Sequence, residues 1–298
     1  MKVFAADLFP LPLPEGHRFP AAKYTLLRGM VADSGLVAPG DLRVPEPAAD
    51  ADLALVHDPA YVRAVIEGTL PEAAWRRIGF PWSPELVERS RRSVGGTLAA
   101  ARAAVAEGIA VHLAGGTHHA FRDFGEGYCV FNDVAVAVRV LQRDGLVRRA
   151  LIVDCDVHQG NGTAALFRGD PGAFTFSIHG ARNFPARKED SDLDVGLADG
   201  TGDAEYLAAL EGGLAGSIAA ARADFAFYLA GADAWEGDRL GKLDLTAAGM
   251  ETRDRRVLAA LRDAGLPVAV VMGGGYAPDP ADTARLHLQT VRAAAATV

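Results

Sequence analysis

The stretch ALIVDCDVHQGNGT, residues 150–163, decides how the fold is interpreted. It begins as a short apolar run typical of a buried strand and ends in a turn rich in Gly and Asn. Asp154, Asp156 and His158 occupy alternate positions, so they share one face wherever the strand is extended. Ionised carboxylates are rarely buried without a cation, a hydrogen-bond network or a metal. The stretch therefore predicts a buried strand that ends at a metal-binding site.

Four further apolar runs resemble this strand, and amphipathic helical stretches separate them. The runs are IAVHLAGG (109–116), FTFSIHG (174–180), FAFYLAGAD (225–233) and PVAVVMGGGY (267–276). Strands that are apolar on both faces and alternate with helices predict a mostly parallel sheet covered on both sides. We therefore expect an α/β fold, a single three-layer domain over residues 1–298. The Pro- and Gly-rich segments 69–84 and 180–202 are expected to be loops.

The composition argues against several classes of protein. The chain has 298 residues, 50% of them hydrophobic, and a formal net charge of -8 with both signs mixed along its length. This charge pattern argues against a nucleic-acid surface, and no apolar run is long enough to predict a membrane span. Cys129 and Cys155 lack C-x-x-C spacing, so we expect them to be small core residues in a reducing cytoplasm. The oligomeric state is not predicted.

Polar side chains follow the predicted strands. In a parallel sheet the carboxyl ends of the strands meet at one edge, where ligands bind. The side chains at these ends are Thr117, His118, His119, Asp154, Asp156, His158, Ser177, His179, Asp233 and Tyr276. One His and two Asp ligands with an open position for water are typical of a catalytic metal site. The pattern therefore predicts a metal-dependent active site at this edge.

Asp154, Asp156, His158 and Asp233 are the side chains from which the ligands of one ion could come. A two-metal site of the ureohydrolase type would need one further carboxylate two residues beyond His158 and another two residues beyond Asp233. Gly160 and Trp235 stand at these positions. Zn²⁺ is the usual ion for hydrolysis, and two oxygen ligands with one nitrogen ligand also suit Fe²⁺. We therefore expect one transition-metal ion per chain.

Five motifs together identify a resemblance to a known family. In chain order they are GGTHHAFRDFGEGYCVFND (115–133), LIVDCDVHQGNGT (151–163), FSIHGARNFP (176–185), LAGADAWEGDRLG (229–241) and MGGGY (272–276). The sequence resembles the metal-dependent histone deacetylases and related acyl-amine amidohydrolases, which have the arginase-deacetylase fold. The N-terminal stretch LPLPEGHRFPAAKYTLLR, residues 11–28, is most similar to the short bacterial deacetylases near class IV.

The resemblance implies that Asp156, His158 and Asp233 bind the metal, whereas Asp154 orients His118 instead. It also implies a second, monovalent cation, expected to be K⁺. This cation would be held by Asp154 and Ser177 together with backbone carbonyls near Asp156 and His158.

His118 and His119 are expected to differ in proton affinity. A His beside a carboxylate is held positive, whereas one beside a neutral amide stays free to accept a proton near pH 7. The resemblance pairs His119 with Asn161, so His119 would be the general base and then the acid, and His118 would act mainly electrostatically. Tyr276 would donate its hydroxyl to the developing oxyanion.

An acylated lysine or amine needs a narrow apolar channel. The resemblance implies that Tyr128 and Phe184 are its walls and that the Gly127 carbonyl accepts the scissile N–H. Gly274, in the glycine run before Tyr276, would let the backbone approach the substrate closely. Four other histidines are interpreted as packing or surface residues: His57, His112, His179 and His287.

Three functions remain open at this point. The first is a zinc-dependent amidohydrolase that removes acetyl or longer acyl groups from N-acyl-lysine in proteins or from related acylated amines. The second is a catalytically silent module that binds acylated ligands. The third is a two-metal ureohydrolase related to arginase. The presence of both histidines, the three ligands and Tyr276 favours the first.

Overall fold

Eight parallel strands form one continuous sheet in the computed structural model, which describes residues 1–297. Every pairing between neighbouring strands within this range is parallel, in the order β2-β1-β3-β8-β7-β4-β5-β6. The predicted α/β class and parallel sheet are therefore confirmed. The strands are β1 (Lys2–Phe4), β2 (Leu42–Arg43), β3 (Ile109–His112), β4 (Ala150–Asp154), β5 (Ala173–Gly180), β6 (Leu193–Leu197), β7 (Phe225–Leu229) and β8 (Val268–Val271).

Helices cover both faces of the sheet, and local capping explains where several begin. Ser83, Asn132 and Thr246 each accept a backbone N–H three residues ahead, at the starts of α5, α6 and α9. The helices are α1 (Ala22–Asp33), α2 (Asp50–Leu53), α3 (Pro59–Glu67), α4 (Glu72–Ile78), α5 (Pro84–Glu107), α6 (Asp133–Arg143), α7 (Asn161–Phe167), α8 (Asp203–Ala221), α9 (Ala247–Asp263) and α10 (Pro280–Ala295). None of the helices in residues 1–297 is both long and apolar enough to cross a membrane.

Strand β4 shows how one sheet supports two hydrophobic cores. Leu151 and Val153 belong to the core beneath α1, α8, α9 and α10, whereas Ala150 and Ile152 belong to the core beneath α5 and α6. Successive side chains of a strand point to opposite faces, so an unbroken apolar run fills both cores. This arrangement is the predicted three-layer architecture.

The prediction that residues 69–84 and 180–202 are loops is partly wrong. The first segment contains α4, between Pro71 and Gly79, and the second contains β6. Strand β6 has the sequence LDVGL and lies at the edge of the sheet, where β5 is its one partner among residues 1–297, so it lacks the apolar run of a central strand. Strands β1 and β2 were also not predicted, because each is only two or three residues long.

His57 gives the folded state a pH dependence. Its Nδ1 donates to the Phe121 carbonyl at 2.8 Å, and its Nε2 accepts the Asn132 N–H at 2.9 Å, so the ring is neutral. Burial lowers the pKa of His57 from 6.5 to about 4. A lowered pKa contributes stability that is complete above pH 6.5 and is lost as the pH falls toward 4.

We expect His57 alone to account for about 2 kcal/mol of lost unfolding free energy between pH 7 and pH 5, at about 1.4 kcal/mol per pH unit. Urea titrations of the wild type and of His57→Gln at both pH values measure this. The difference in unfolding free energy between pH 7 and pH 5 should be smaller in the variant. Equal pH dependence of the two proteins would contradict the assignment.

Candidate active site

The polar residues after β4 are positioned by a bend rather than by the strand. The strand ends at Asp154, so Asp156 and His158 lie beyond its extended part. Asp154 Oδ1 accepts the Asp156 N–H at 3.1 Å, and Asp156 Oδ1 accepts the His158 N–H at 3.0 Å. Each carboxylate therefore folds the backbone two residues ahead of it, as Asx turns do. The bend brings Asp156 and His158 to the carboxyl edge of the sheet.

Asp156, His158 and Asp233 form a buried candidate metal centre. One ligand atom from each residue lies within 4.8 Å of the others, and His158 Nδ1 is 3.0 Å from Asp156 Oδ1 and 3.1 Å from Asp233 Oδ2. Although burial alone lowers the pKa of His158, the two carboxylates raise it to about 10. The centre therefore strongly favours a positive charge. Carboxylate and imidazole donors at this spacing fit a divalent transition metal.

Backbone groups hold the two ligand carboxylates in place. Gly274 N–H donates to Asp156 Oδ2 at 2.6 Å, and Val157 N–H donates to Asp233 Oδ1 at 2.9 Å. A Cβ on Gly274 would lie 1.9 Å from Asp233 Oδ2. Position 274 therefore requires glycine because the backbone passes directly over the carboxylates.

His118 and His119 have different partners. His118 Nδ1 lies 2.7 Å from Asp154 Oδ2, and His119 Nδ1 lies 2.7 Å from Asn161 Oδ1. Burial lowers the pKa of His118, but Asp154 and Asp156 together raise it to about 9. Burial and the nearby charges of His118 and His158 lower the pKa of His119 well below its ordinary value. These opposite shifts favour the charged form of His118 and the neutral form of His119 near neutral pH.

A cavity of about 420 Å³ leads to these groups. His119, His158 and Tyr276 lie on its wall together with Tyr128 and the exposed residue Phe184. The Phe184 ring centre is 4.9 Å from that of His119, with the two rings nearly perpendicular. These aromatic side chains give the cavity an apolar wall beside the polar groups.

A tight turn at residues 126–129 shapes this wall. Gly127 and Tyr128 both have a positive φ, of 56° and 67°, and the Cys129 N–H donates to the Glu126 carbonyl at 2.9 Å. Two successive left-handed residues closed by this hydrogen bond are typical of a type I′ turn. A Cβ on Gly127 would lie 2.7 Å from His119 Cδ2, so the turn packs directly against the histidine.

Tyr276 is held by groups whose roles were not predicted from the sequence. Its N–H donates to Asp238, and its carbonyl accepts from Arg239 Nε at 2.9 Å. Lys23 is buried with Nζ 5.3 Å from the centre of the Tyr276 ring, and it donates to the Gly275 carbonyl. Asp238 and Arg239 lie within the motif LAGADAWEGDRLG, but only the fold shows that they contact Tyr276.

Other predicted residues have simpler surroundings. Ser177 lies on β5 as the register partner of Asp154, and its Oγ is 3.0 Å from His179 Nδ1. The K⁺ site at these residues stays a prediction. The Gly127 carbonyl accepts the Cys129 thiol at 3.4 Å. Cys129 and Cys155 are buried, as are the four histidines interpreted as packing or surface residues.

A comparison with family models identifies the chain's relatives. The model described as the histone deacetylase domain matches residues 17–293. The chain belongs to the histone deacetylase family. A probable deacetylase of Methanothermobacter thermautotrophicus is 30% identical over 241 residues, covering 76% of this chain and 72% of that protein. The resemblance stated from the motifs is therefore confirmed.

Further relatives of this histone deacetylase family member extend the similarity. An uncharacterized protein of Picosynechococcus sp. is 48% identical over 283 residues, covering 95% of this chain and 94% of its own. The crystal structure of a histone deacetylase homologue complexed with SAHA superposes with a TM-score of 0.85 at 24% identity, over 99% of this chain and 84% of the other. This likeness confirms the predicted arginase-deacetylase fold.

Proposed function

We propose that residues 1–298 form a single catalytic domain that hydrolyses the amide bond of N-acyl-lysine or of related acylated amines. The observation that carries this proposal is the meeting of a buried Asp–His–Asp set with His119, hydrogen-bonded to Asn161, and Tyr276 beside one aromatic-walled cavity. Two buried free cysteines support a reducing compartment, for which we propose the cytoplasm.

The chain's own groups account for binding and proton transfer. Tyr128 and Phe184 would flank the acyl-lysine stem, and the Gly127 carbonyl would accept the scissile N–H. His119 would take a proton from the attacking water and return it to the leaving amine, while the C–N bond breaks. Tyr276 would donate its hydroxyl to the developing oxyanion, and positively charged His118 would stabilise the same negative charge.

Asp156, His158 and Asp233 would hold one Zn²⁺, with Fe²⁺ as the alternative. When bound, the ion would polarise the amide carbonyl and lower the pKa of water. Asp154 and Ser177 would contribute to the proposed K⁺ site beside it.

Charges at the cavity mouth favour some amines over others. Arg76, Arg77, Arg182 and Lys242 line the cavity, and within residues 1–297 Glu126 is the one carboxylate on its wall. Arg76 and Arg182 are paired with Glu72 and Asp199, so polycationic amines would be repelled mainly by Arg77 and Lys242. We therefore expect acyl-lysine in a neutral or acidic peptide to be a better substrate than an acetylated polyamine.

A hydrolysis panel tests the function and its alternatives. We expect the zinc-loaded protein to hydrolyse acetyl-lysine or longer acyl-lysine peptides, with one transition-metal ion per chain by elemental analysis. Metal removal should abolish the activity, and Tyr276→Phe should lower kcat by about a hundredfold. Binding of these peptides without hydrolysis by folded, loaded protein would favour the silent binding module. Two bound manganese ions would favour the ureohydrolase.

A further inference from the structure

Glu126 lies at the entrance to the catalytic pair and contacts one of its supporting residues. The side chain is half-buried on the cavity wall, and its Oε1 accepts a hydrogen bond from Asn161 Nδ2 at 2.7 Å. The other end of the same amide, Asn161 Oδ1, lies 2.7 Å from His119 Nδ1. Glu126, Asn161 and His119 therefore form one continuous chain of hydrogen bonds.

The two ends of this amide are not interchangeable. A carboxylate can only accept hydrogen bonds, so the NH₂ group of Asn161 must face Glu126 and the amide oxygen must face His119. The oxygen in turn requires a proton on Nδ1 of His119. Neutral His119 then has a free electron pair on Nε2, as a general base needs.

We propose that Glu126 is a positioning residue that fixes the orientation of the Asn161 amide and, through it, the tautomer of His119. Without Glu126, the amide is free to rotate and present its NH₂ group to Nδ1. That orientation favours the tautomer with its proton on Nε2, which cannot accept a proton from water. This inference deepens the proposed function, because it assigns a further residue to the same reaction.

The backbone supports this role. The Glu126 carbonyl accepts the Cys129 N–H, and the Gly127 and Tyr128 N–H groups donate to the carbonyls of Arg77 and Ile78 at 3.3 and 2.7 Å. The turn that carries Glu126 is thus tied by two backbone hydrogen bonds to the end of α4. Asn161 is itself 3% exposed at the first turn of α7.

Two variants of nearly the same size as glutamate distinguish the hydrogen-bond acceptor at position 126 from the packing of its side chain. Glu126→Gln keeps an oxygen that can accept from Asn161 Nδ2, whereas Glu126→Met does not. We expect kcat for acetyl-lysine peptide to fall roughly tenfold to a hundredfold in Glu126→Met with little change in KM, and less than about threefold in Glu126→Gln. Asp123→Asn, at an exposed position of the same loop, is the matched control and should retain wild-type activity.

A double-mutant cycle with Asn161→Asp tests whether Glu126 acts through the Asn161 amide. It distinguishes this role from an effect of Glu126 on substrate binding or on folding. An Asp at position 161 accepts from His119 Nδ1 in any orientation, so Glu126→Met should cost less than about threefold in that background. An equal loss in both backgrounds would overturn the proposal.

Nitrogen chemical shifts of ¹⁵N-labelled histidine give a readout that does not depend on any substrate being cleaved. We expect His119 to be protonated on Nδ1 in the wild type and in Glu126→Gln, and to show a mixture of tautomers in Glu126→Met. A single Nδ1-protonated tautomer in Glu126→Met would also overturn the proposal. If the wild type cleaves no acyl substrate, the tautomer measurement still decides the role of Glu126.

Discussion

Replacing His119 with alanine is expected to lower kcat by about a thousandfold, with little change in the stability of the protein. General acid–base groups contribute roughly a hundredfold to ten-thousandfold to a rate. His119 lies on the cavity wall, and burial together with the nearby charges of His118 and His158 lowers its pKa, which favours the form that can accept a proton. Loss of this base should be measured by steady-state hydrolysis of acetyl-lysine peptide.

Two controls separate lost proton transfer from lost structure. His179 is also buried, at the carboxyl end of β5, but does not line the cavity, so His179→Asn should cost less than tenfold in kcat. Metal content and melting temperature should be unchanged in His119→Ala, since His119 is not among the three candidate ligands. A His119→Ala enzyme within tenfold of the wild type would rule out His119 as the base.

The central strands could be predicted because each one is a short apolar run that can be recognised from its own residues. Residues 150–154 form an apolar run that ends in Asp, and the helices around it begin at capping residues such as Asn132 and Thr246. Each of these signals depends only on residues within one turn or one strand. For that reason the parallel sheet and its polar carboxyl edge could be derived from composition and periodicity alone.

The supporting contacts could not be derived in this way. Glu126 reaches Asn161 across 35 positions only because a turn with two left-handed residues brings it there. Similarly, the placement of Asp156 and His158 depends on a bend that begins where the strand ends. The Glu126–Asn161 contact follows from tertiary packing, whereas the bend is made by local hydrogen bonds that depart from the strand periodicity of the apolar run.

Arg253→Met is expected to lower the free energy of unfolding by about 3–5 kcal/mol, because removing one partner leaves a buried charge without compensation. Arg253 is 1% exposed on α9, and its Nε donates to Asp254 Oδ1 at 2.9 Å. Asp254 also accepts the hydroxyls of Tyr228 and Thr290. In the variant Asp254 keeps these two bonds but loses its cation.

The same guanidinium supports the candidate metal centre. Arg253 Nη1 donates to the carbonyl of Cys155 at 3.2 Å and to that of Gly231 at 2.6 Å. Cys155 immediately precedes Asp156, and Gly231 lies two residues before Asp233. Arg253 thus joins the two chain segments that carry the carboxylate ligands. We therefore expect Arg253→Met also to bind Zn²⁺ more weakly, as measured by competition with a chelator.

Arg255→Met is the matched control for this prediction. Arg255 lies on the exposed side of the same helix and pairs with Glu251 at 2.7 Å, and exposed pairs of this kind contribute about 0–1 kcal/mol. Urea unfolding of the two variants compares the same substitution in buried and exposed settings. Replacing both Arg253 and Asp254 with apolar residues should recover part of the lost stability, because no charge then stays buried alone. Equal unfolding free energies for Arg253→Met and Arg255→Met would contradict the prediction, because the buried Arg253–Asp254 pair would then stabilise the protein no more than the exposed Arg255–Glu251 pair.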